Sequence, residues 1–191
     1  DLAALDVAAS VREMINPPIM ALRELPVPVV ARVHGPAAGI GFSYVLAADI
    51  RVASEAAKFA QTFIRVGLMP DGGSTFFLPR LVGYARAFEL MTTGGPLTAH
   101  DAYALGIVNG VVPFDQLDAT VDDIAARLAA GPHPSLAGIK AALSRTEAAE
   151  LAAALDFEAE GQAACFASAD FREGITAFLQ KRPADFGNTK D

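Results

Sequence analysis

Between Ala3 and Leu25 the apolar residues Val7, Val11, Ile15, Ile19 and Leu22 recur every three or four positions, a spacing that predicts a helix with one buried stripe. Pro17-Pro18 must break or restart that helix, because proline lacks an N–H and its ring clashes with the carbonyl one turn back. Pro26 to Val33 then reads as a buried strand opened by prolines. Gly39 to Ala48 is apolar on all sides, as a buried helix would be. Ile50 to Ala53 and Lys58 to Ala60 read as short extended segments, and Gly67 to Pro70 leads into a turn. Ser74 to Val82 and Tyr84 to Thr93 are helical runs separated by Gly83. A short helix follows from Thr98, a capping residue, to Leu105, with Gly106 as its stop. Ile107 to Val112 reads as a strand and Asp115 to Ala130 as a helix.

Gly131-Pro132-His133-Pro134 carries the plainest linker signal in the chain. Beyond it the pattern is purely helical: Ser135 to Arg145, Ala148 to Ala167 and Asp170 to Lys181. Strand–helix alternation followed by helices alone predicts an α/β core over residues 1–130 and a helical C-terminal subdomain over 131–191. Such a helical tail is a candidate for packing on a neighbouring subunit.

Composition narrows the function classes. Hydrophobic residues make up 52% of the 191 and charged residues only 19%, which excludes a disordered chain or a coiled coil. A net charge of −7 argues against nucleic acid or an anionic membrane as partner, while leaving room for a local basic pocket and a small anionic ligand. Cys165 is the single cysteine, so no intrachain disulfide forms, and no Cys/His cluster has metal-ligand spacing. These features fit a reducing, cytoplasmic setting with no metal. No apolar run reaches membrane-span length and no signal peptide is visible. The chain starts Asp1-Leu2 without a methionine, which is the expectation for part of a longer protein.

Two glycine turns hold the candidate chemistry. In Val33-His34-Gly35-Pro36-Ala37-Ala38-Gly39-Ile40-Gly41-Phe42-Ser43 a strand gives way to a buried helix through Gly39-Ile40-Gly41. N–H groups exposed at a helix start favour developing negative charge, and glycines let a ligand approach the backbone. Strand-to-helix packing alone would also account for these glycines. In Pro70-Asp71-Gly72-Gly73-Ser74-Thr75 a carboxylate stands at the next helix start. Asp71 is either a turn or capping residue or an acid/base moving a proton at carbon. Leu68, Met69, Phe76 and Phe77 around it would raise its pKa. His34, His100 and His133 are scattered without triad spacing. Ser43 lacks a nucleophile elbow, and Gly39-Ile40-Gly41 lacks the third glycine and the later acid of a dinucleotide site. Phe63, Phe76, Phe77 and Phe88 read as core or pocket wall. The amphipathic run Phe171 to Arg182 ends in Lys181 and Arg182, which either complement the helix dipole or reach a phosphate.

In these residues the chain resembles the enoyl-CoA hydratase/isomerase, or crotonase, superfamily. Besides both turns, Lys58-Phe59-Ala60, Leu78-Pro79-Arg80-Leu81-Val82-Gly83, Leu97-Thr98-Ala99-His100-Asp101-Ala102 and the Phe171 to Arg182 helix stand in the family's order. The resemblance implies a spiral of ββα units with a helical C-terminal region, assembled as homotrimers or homohexamers. It implies an acyl-CoA thioester as substrate, with no cofactor besides the coenzyme A that the substrate carries. An oxyanion hole would hold the thioester oxygen. Ile40 N–H, bracketed by Gly39 and Gly41, is one donor, and the other precedes an Asp-Leu pair such as Asp1-Leu2. On that alignment roughly sixty residues of the fold precede the chain, consistent with the soft length prior for a domain.

Departures from the family pattern point to the reaction. The positions of the two glutamates that hydratases use to activate water are Ser43 and Phe63 here. Asp71 matches the acid of family isomerases, closest in motif to the phenylacetate-pathway ring-epoxide isomerases and the Δ3,Δ2-enoyl-CoA isomerases. The dehalogenases of the family pair an aspartate at this place with a tryptophan, and the chain has none. The resemblance thus implies an acyl-CoA isomerase. Phe63, Phe76, Ser43 and Gly72 would contact the acyl part, and Lys181 and Phe178 the coenzyme A. An enoyl-CoA hydratase and a non-catalytic acyl-CoA-binding homologue stand as alternatives.

Overall fold

The computed structural model describes residues 6–189, so the Asp1-Leu2 pair lies outside the described residues. The first helical stretch is built as α1 (Val7–Ser10), one wide turn (Val11–Ile15) and α2 (Asn16–Glu24). In the wide turn Asn16 N–H reaches back five residues to the Val11 carbonyl. This admits Pro17 and Pro18 in the first turn of α2 without their rings striking the preceding carbonyls. The prolines thus restart the helix.

The extended segments alternate between two sheets. In one, β1 (Val30–Val33), β3 (Ile50–Ser54) and β6 (Gly110–Val112) run parallel in the order β1-β3-β6. In the other, β2 (Pro36–Ala38) and β4 (Lys58–Ala60) run parallel, and β5 (Leu97–Thr98) pairs antiparallel with β4. Each strand of the first sheet from β1 to β4 therefore passes directly into one of the second, and a helix follows. The helix after β2 is α3 (Ile40–Ala47), and β4 leads through a 3-10 turn (Thr62–Val66) to α4 (Ser74–Val82) and α5 (Tyr84–Thr93).

Some elements differ from expectation. The first strand starts at Val30 rather than Pro26: Pro26 and Pro28 have no N–H for a ladder, and Asp49 Oδ2 takes the Val29 N–H at 2.8 Å. β2 and β5 are strands that the pattern did not predict, being only three and two residues long. The expected strand from Ile107 begins only at Gly110, because Ile107 and Val108 donate their N–H groups to Ala102 O at the end of α6 (Ala99–Ala104). After α7 (Leu117–Ala129), α8 (His133–Arg145) starts within the predicted linker, with Pro134 in its first turn where a missing N–H is harmless. α9 (Ala148–Ala167) follows, and α10 (Ala169–Leu179) stops short of Lys181, whose φ is +55°. Phe88 is exposed and stacks on Tyr84 rather than joining the core.

Ile19, Phe42, Leu46, Phe59, Leu78 and Ile107 form the centre of one hydrophobic cluster, each at most 2% exposed. Leu151 and Leu155 of α9 belong to the same cluster. α9 is thus held against α4 by apolar burial, worth about 1.5–3 kcal/mol per large side chain, and this places its polar residues beside the second glycine turn.

Candidate active site

Gly39 caps α3 with φ +54° and ψ −126°, a conformation that glycine alone adopts readily. Its N–H donates to Ala60 O at 2.9 Å, and its carbonyl accepts from Phe42 and Ser43. Ile40 is the first residue of α3, where backbone N–H groups have no intrahelical acceptor and the helix dipole is positive. A Cβ added at Gly41 would meet nothing within 4 Å, so the space beside it is open, whereas one at Gly39 would lie 3.6 Å from Phe63 Cζ. Phe63 therefore stands at the mouth of this turn.

The second turn packs directly on the first. Gly72 has φ +65°, and a Cβ there would lie 2.6 Å from Ile40 Cδ1 and 3.0 Å from Ser43 Cβ. Ser43, fully buried, donates to Asp71 O at 2.7 Å and shares a 2.6 Å hydrogen bond with Ser74 Oγ, which also accepts from Gln61 Nε2 at 2.9 Å. The Ser43 hydroxyl thus ties the two turns together. It was expected on the substrate face, and its hydrogen bonds lie within the protein.

Asp71 is 7% exposed. Its Oδ2 accepts from Gln162 Nε2 at 2.9 Å, and its Oδ1 has no hydrogen-bond partner. Burial pushes its pKa up to about 6, against the opposing hydrogen bonds from Gln162 and from its own backbone N–H. A carboxyl titrating there is suited to both accepting and returning a proton near neutral pH.

A second buried carboxylate, Glu158, is engaged otherwise. Its Oε2 accepts Gly73 N–H at 2.7 Å, and its Oε1 accepts Thr75 N–H at 2.9 Å and Thr75 Oγ1 at 2.6 Å. Burial raises its pKa against these bonds, and the nearby charge of Asp71 adds to the rise. It satisfies the N–H groups at the start of α4 and sits at the positive end of that helix.

Glu158, Gln162, Gln61 and Ser74 were not read from the sequence. A signal for two of them is present: Leu151, Leu155, Glu158 and Gln162 recur at helical spacing, so the polar pair occupies positions of the apolar stripe. Of the residues singled out in advance, Gly39, Ile40, Gly41, Phe63, Ser43, Asp71 and Gly72 come together. Phe76 does not join them. Its ring lies under the Arg80 guanidinium at 3.6 Å and edge-on to Phe77, beside Met20 and Leu151, because α4 turns that position toward α2 and α9. His34, His100 and His133 are exposed. At the end of α10, Arg182 binds both oxygens of Glu173 at 2.6 and 2.8 Å, holding the Glu173 carboxyl down to about 2. Phe178 and Lys181 stay exposed on the surface.

Comparison with known proteins shows the family. Residues 3–189 match the enoyl-CoA hydratase/isomerase family. A probable enoyl-CoA hydratase of Rhodobacter capsulatus is 41% identical over 182 residues, covering 95% of this chain and 71% of that protein. The 1,2-epoxyphenylacetyl-CoA isomerase of Escherichia coli is 40% identical over 183 residues, covering 96% and 70%. Among solved structures, an enoyl-CoA hydratase from Mycobacterium avium subsp. paratuberculosis superposes with a TM-score of 0.89 at 42% identity, covering 94% of this chain and 73% of that one. This chain therefore belongs to the enoyl-CoA hydratase/isomerase family and has the crotonase fold.

Proposed function

We propose that the protein is an acyl-CoA isomerase. The thioester oxygen accepts a hydrogen bond from Ile40 N–H, at the first residue of α3. Negative charge that develops on this oxygen as an enolate forms is stabilised there by fixed N–H groups and the α3 dipole. Asp71 Oδ1 takes a proton from carbon and returns it at another carbon, or holds it while a ring rearranges. Phe63 lines the apolar acyl site, and Lys181 with Phe178 contacts the nucleotide end of coenzyme A.

One observation carries this reading. Asp71 is a buried carboxyl with one oxygen held and the other unpartnered, beside the candidate oxyanion turn. The other buried carboxylate among the described residues, Glu158, has both oxygens bound to the start of α4, and Ser43 and Phe63 stand where the hydratases of the family carry glutamates. Among the described residues, Asp71 is therefore the buried acid left with an oxygen free of hydrogen bonds. The similarity to 1,2-epoxyphenylacetyl-CoA isomerase supports a ring-epoxide thioester as substrate. The similarity to a probable enoyl-CoA hydratase favours a second reading, hydration of 2-enoyl-CoA.

The test assays the wild type and Asp71→Asn against 2-enoyl, 3-enoyl and ring-epoxide acyl-CoAs. Double-bond or ring isomerisation that falls by roughly 10²–10⁴-fold in Asp71→Asn, with acyl-CoA binding retained, is the expected result. Water addition that survives the substitution would sink the isomerase reading, and binding without any turnover in the wild type would leave a binding protein.

A further inference from the structure

We propose that Gln162 is a positioning residue that selects which oxygen of Asp71 exchanges the proton. The inference rests on the reading of Asp71 as the proton-moving group. Gln162 is 4% exposed, and its Nε2 donates to two acceptors, Met69 O at 2.8 Å and Asp71 Oδ2 at 2.9 Å. The reverse orientation of the amide would set its carbonyl oxygen against a backbone carbonyl and a carboxylate, three acceptors with no hydrogen among them. The donor orientation is therefore dictated by its neighbours.

The arrangement works in both protonation states. When Asp71 is ionised, Oδ2 accepts from Gln162 and the buried Oδ1 has no hydrogen-bond partner. When it is protonated on Oδ1, Oδ2 remains an acceptor and the same hydrogen bond persists. A proton then moves on and off Oδ1 without rearrangement of the network, whereas a proton on Oδ2 would confront the Gln162 N–H. The hydrogen bond favours the ionised form, so its loss raises the Asp71 pKa.

One helix face builds the grip. Glu158, Gly161 and Gln162 lie three and four positions apart on α9 and face the same loop. Glu158 fixes Gly73 and Thr75, which follow Asp71 in the same turn. At Gly161 an added Cβ would lie 2.0 Å from Met69 Sδ, so the Met69 side chain packs directly against α9 beside Gln162. α3 and the start of α4 offer the uncharged Ser43, Ser74 and Thr75, which leaves Glu158 as the ionisable neighbour coupled to Asp71.

The experiment titrates aspartate carboxyl carbons labelled with ¹³C in the wild type, Gln162→Met and Gln162→Asn, with the Asp71 signal identified by its absence in Asp71→Asn. Methionine keeps the length without the donor, and asparagine keeps the amide but retracts it by one methylene. The Asp71 midpoint is expected to rise by about one pH unit in either folded variant, as loss of a hydrogen bond to a charged group implies. For a thioester that the wild type isomerises, kcat should fall with KM unchanged, and the acid limb of the pH profile should move up with the midpoint. An unmoved Asp71 midpoint in a folded Gln162 variant would overturn the positioning role, whatever Asp71→Asn does. Full activity in Asp71→Asn alongside a shifted midpoint would instead overturn the catalytic reading of Asp71 and leave the hydrogen bond as structural.

Discussion

At the scale of single residues, the carboxyl proposed for catalysis is also a strain on the fold. Asp71 titrates at about 6 in the folded chain, above the 3.8 of an unperturbed aspartate. The folded state therefore binds more protons between these values, and stability falls as pH rises from about 4 to about 6. Asp71→Asn removes the buried charge. It is expected to be more stable than the wild type at pH 7, by up to about 3 kcal/mol, with the gain vanishing near pH 4. Urea unfolding at the two pH values measures it, and equal stability at pH 7 would contradict the burial argument. Gly72 combines a positive φ with contact to Ile40. Gly72→Ala should cost roughly 1–2 kcal/mol in backbone strain alone and push Ile40 off its place. Turnover should then fall more than thermal stability does, a comparison that kinetics and thermal melts make directly.

At the scale of elements, α9 is the part that couples packing to chemistry. Its apolar residues Leu151 and Leu155 bind it to the core, and Glu158 completes the start of α4. Glu158→Gln would place an amide N–H₂ against backbone donors and leave one of them unpaired. A loss of about 1–3 kcal/mol and a fall of several degrees in Tm are expected by calorimetry. α10 docks by a different device. A Cβ at Gly174 would come within 2.5 Å of the Val66 backbone, and one at Gly67 within 2.7 Å of the Asp170 backbone. Backbone cannot yield as a side chain can. Gly174→Ala should therefore destabilise by about 1–3 kcal/mol, and hydrogen exchange should localise the loosening to α10 and the Thr62–Val66 turn. Unmoved exchange in these segments would refute that docking argument.

At the scale of the whole molecule, Phe157 of α9 and the adjacent Phe178 and Leu179 of α10 are each more than two thirds exposed, and large apolar side chains left in water are ones that association can cover. We expect a homotrimer or homohexamer, and Phe178→Glu combined with Leu179→Glu should weaken it in light scattering after size exclusion; a wild-type monomer would dismiss the expectation. The architecture was largely legible in the order of residues. Periodicity marked α3, α4, α5, α7 and α9 because a helix in a globular chain must turn one stripe, or its whole surface, away from water. The glycine turns were legible too, since a positive φ at Gly39 and Gly72 leaves glycine as the fitting residue. β2 and β5 were not, because two or three residues are too few to carry a pattern until a partner strand pairs with them. The site divides in the same way. The chain alone determined that Ile40 heads a helix and that Asp71 sits in a turn among apolar residues, both consequences of local chemistry. Only the tertiary structure decided that these turns touch, that Phe76 faces elsewhere, and that Glu158 and Gln162 close on Asp71 from more than eighty positions away. Side-chain hydrogen bonds and burial depend on distance in space, and sequence separation does not encode them.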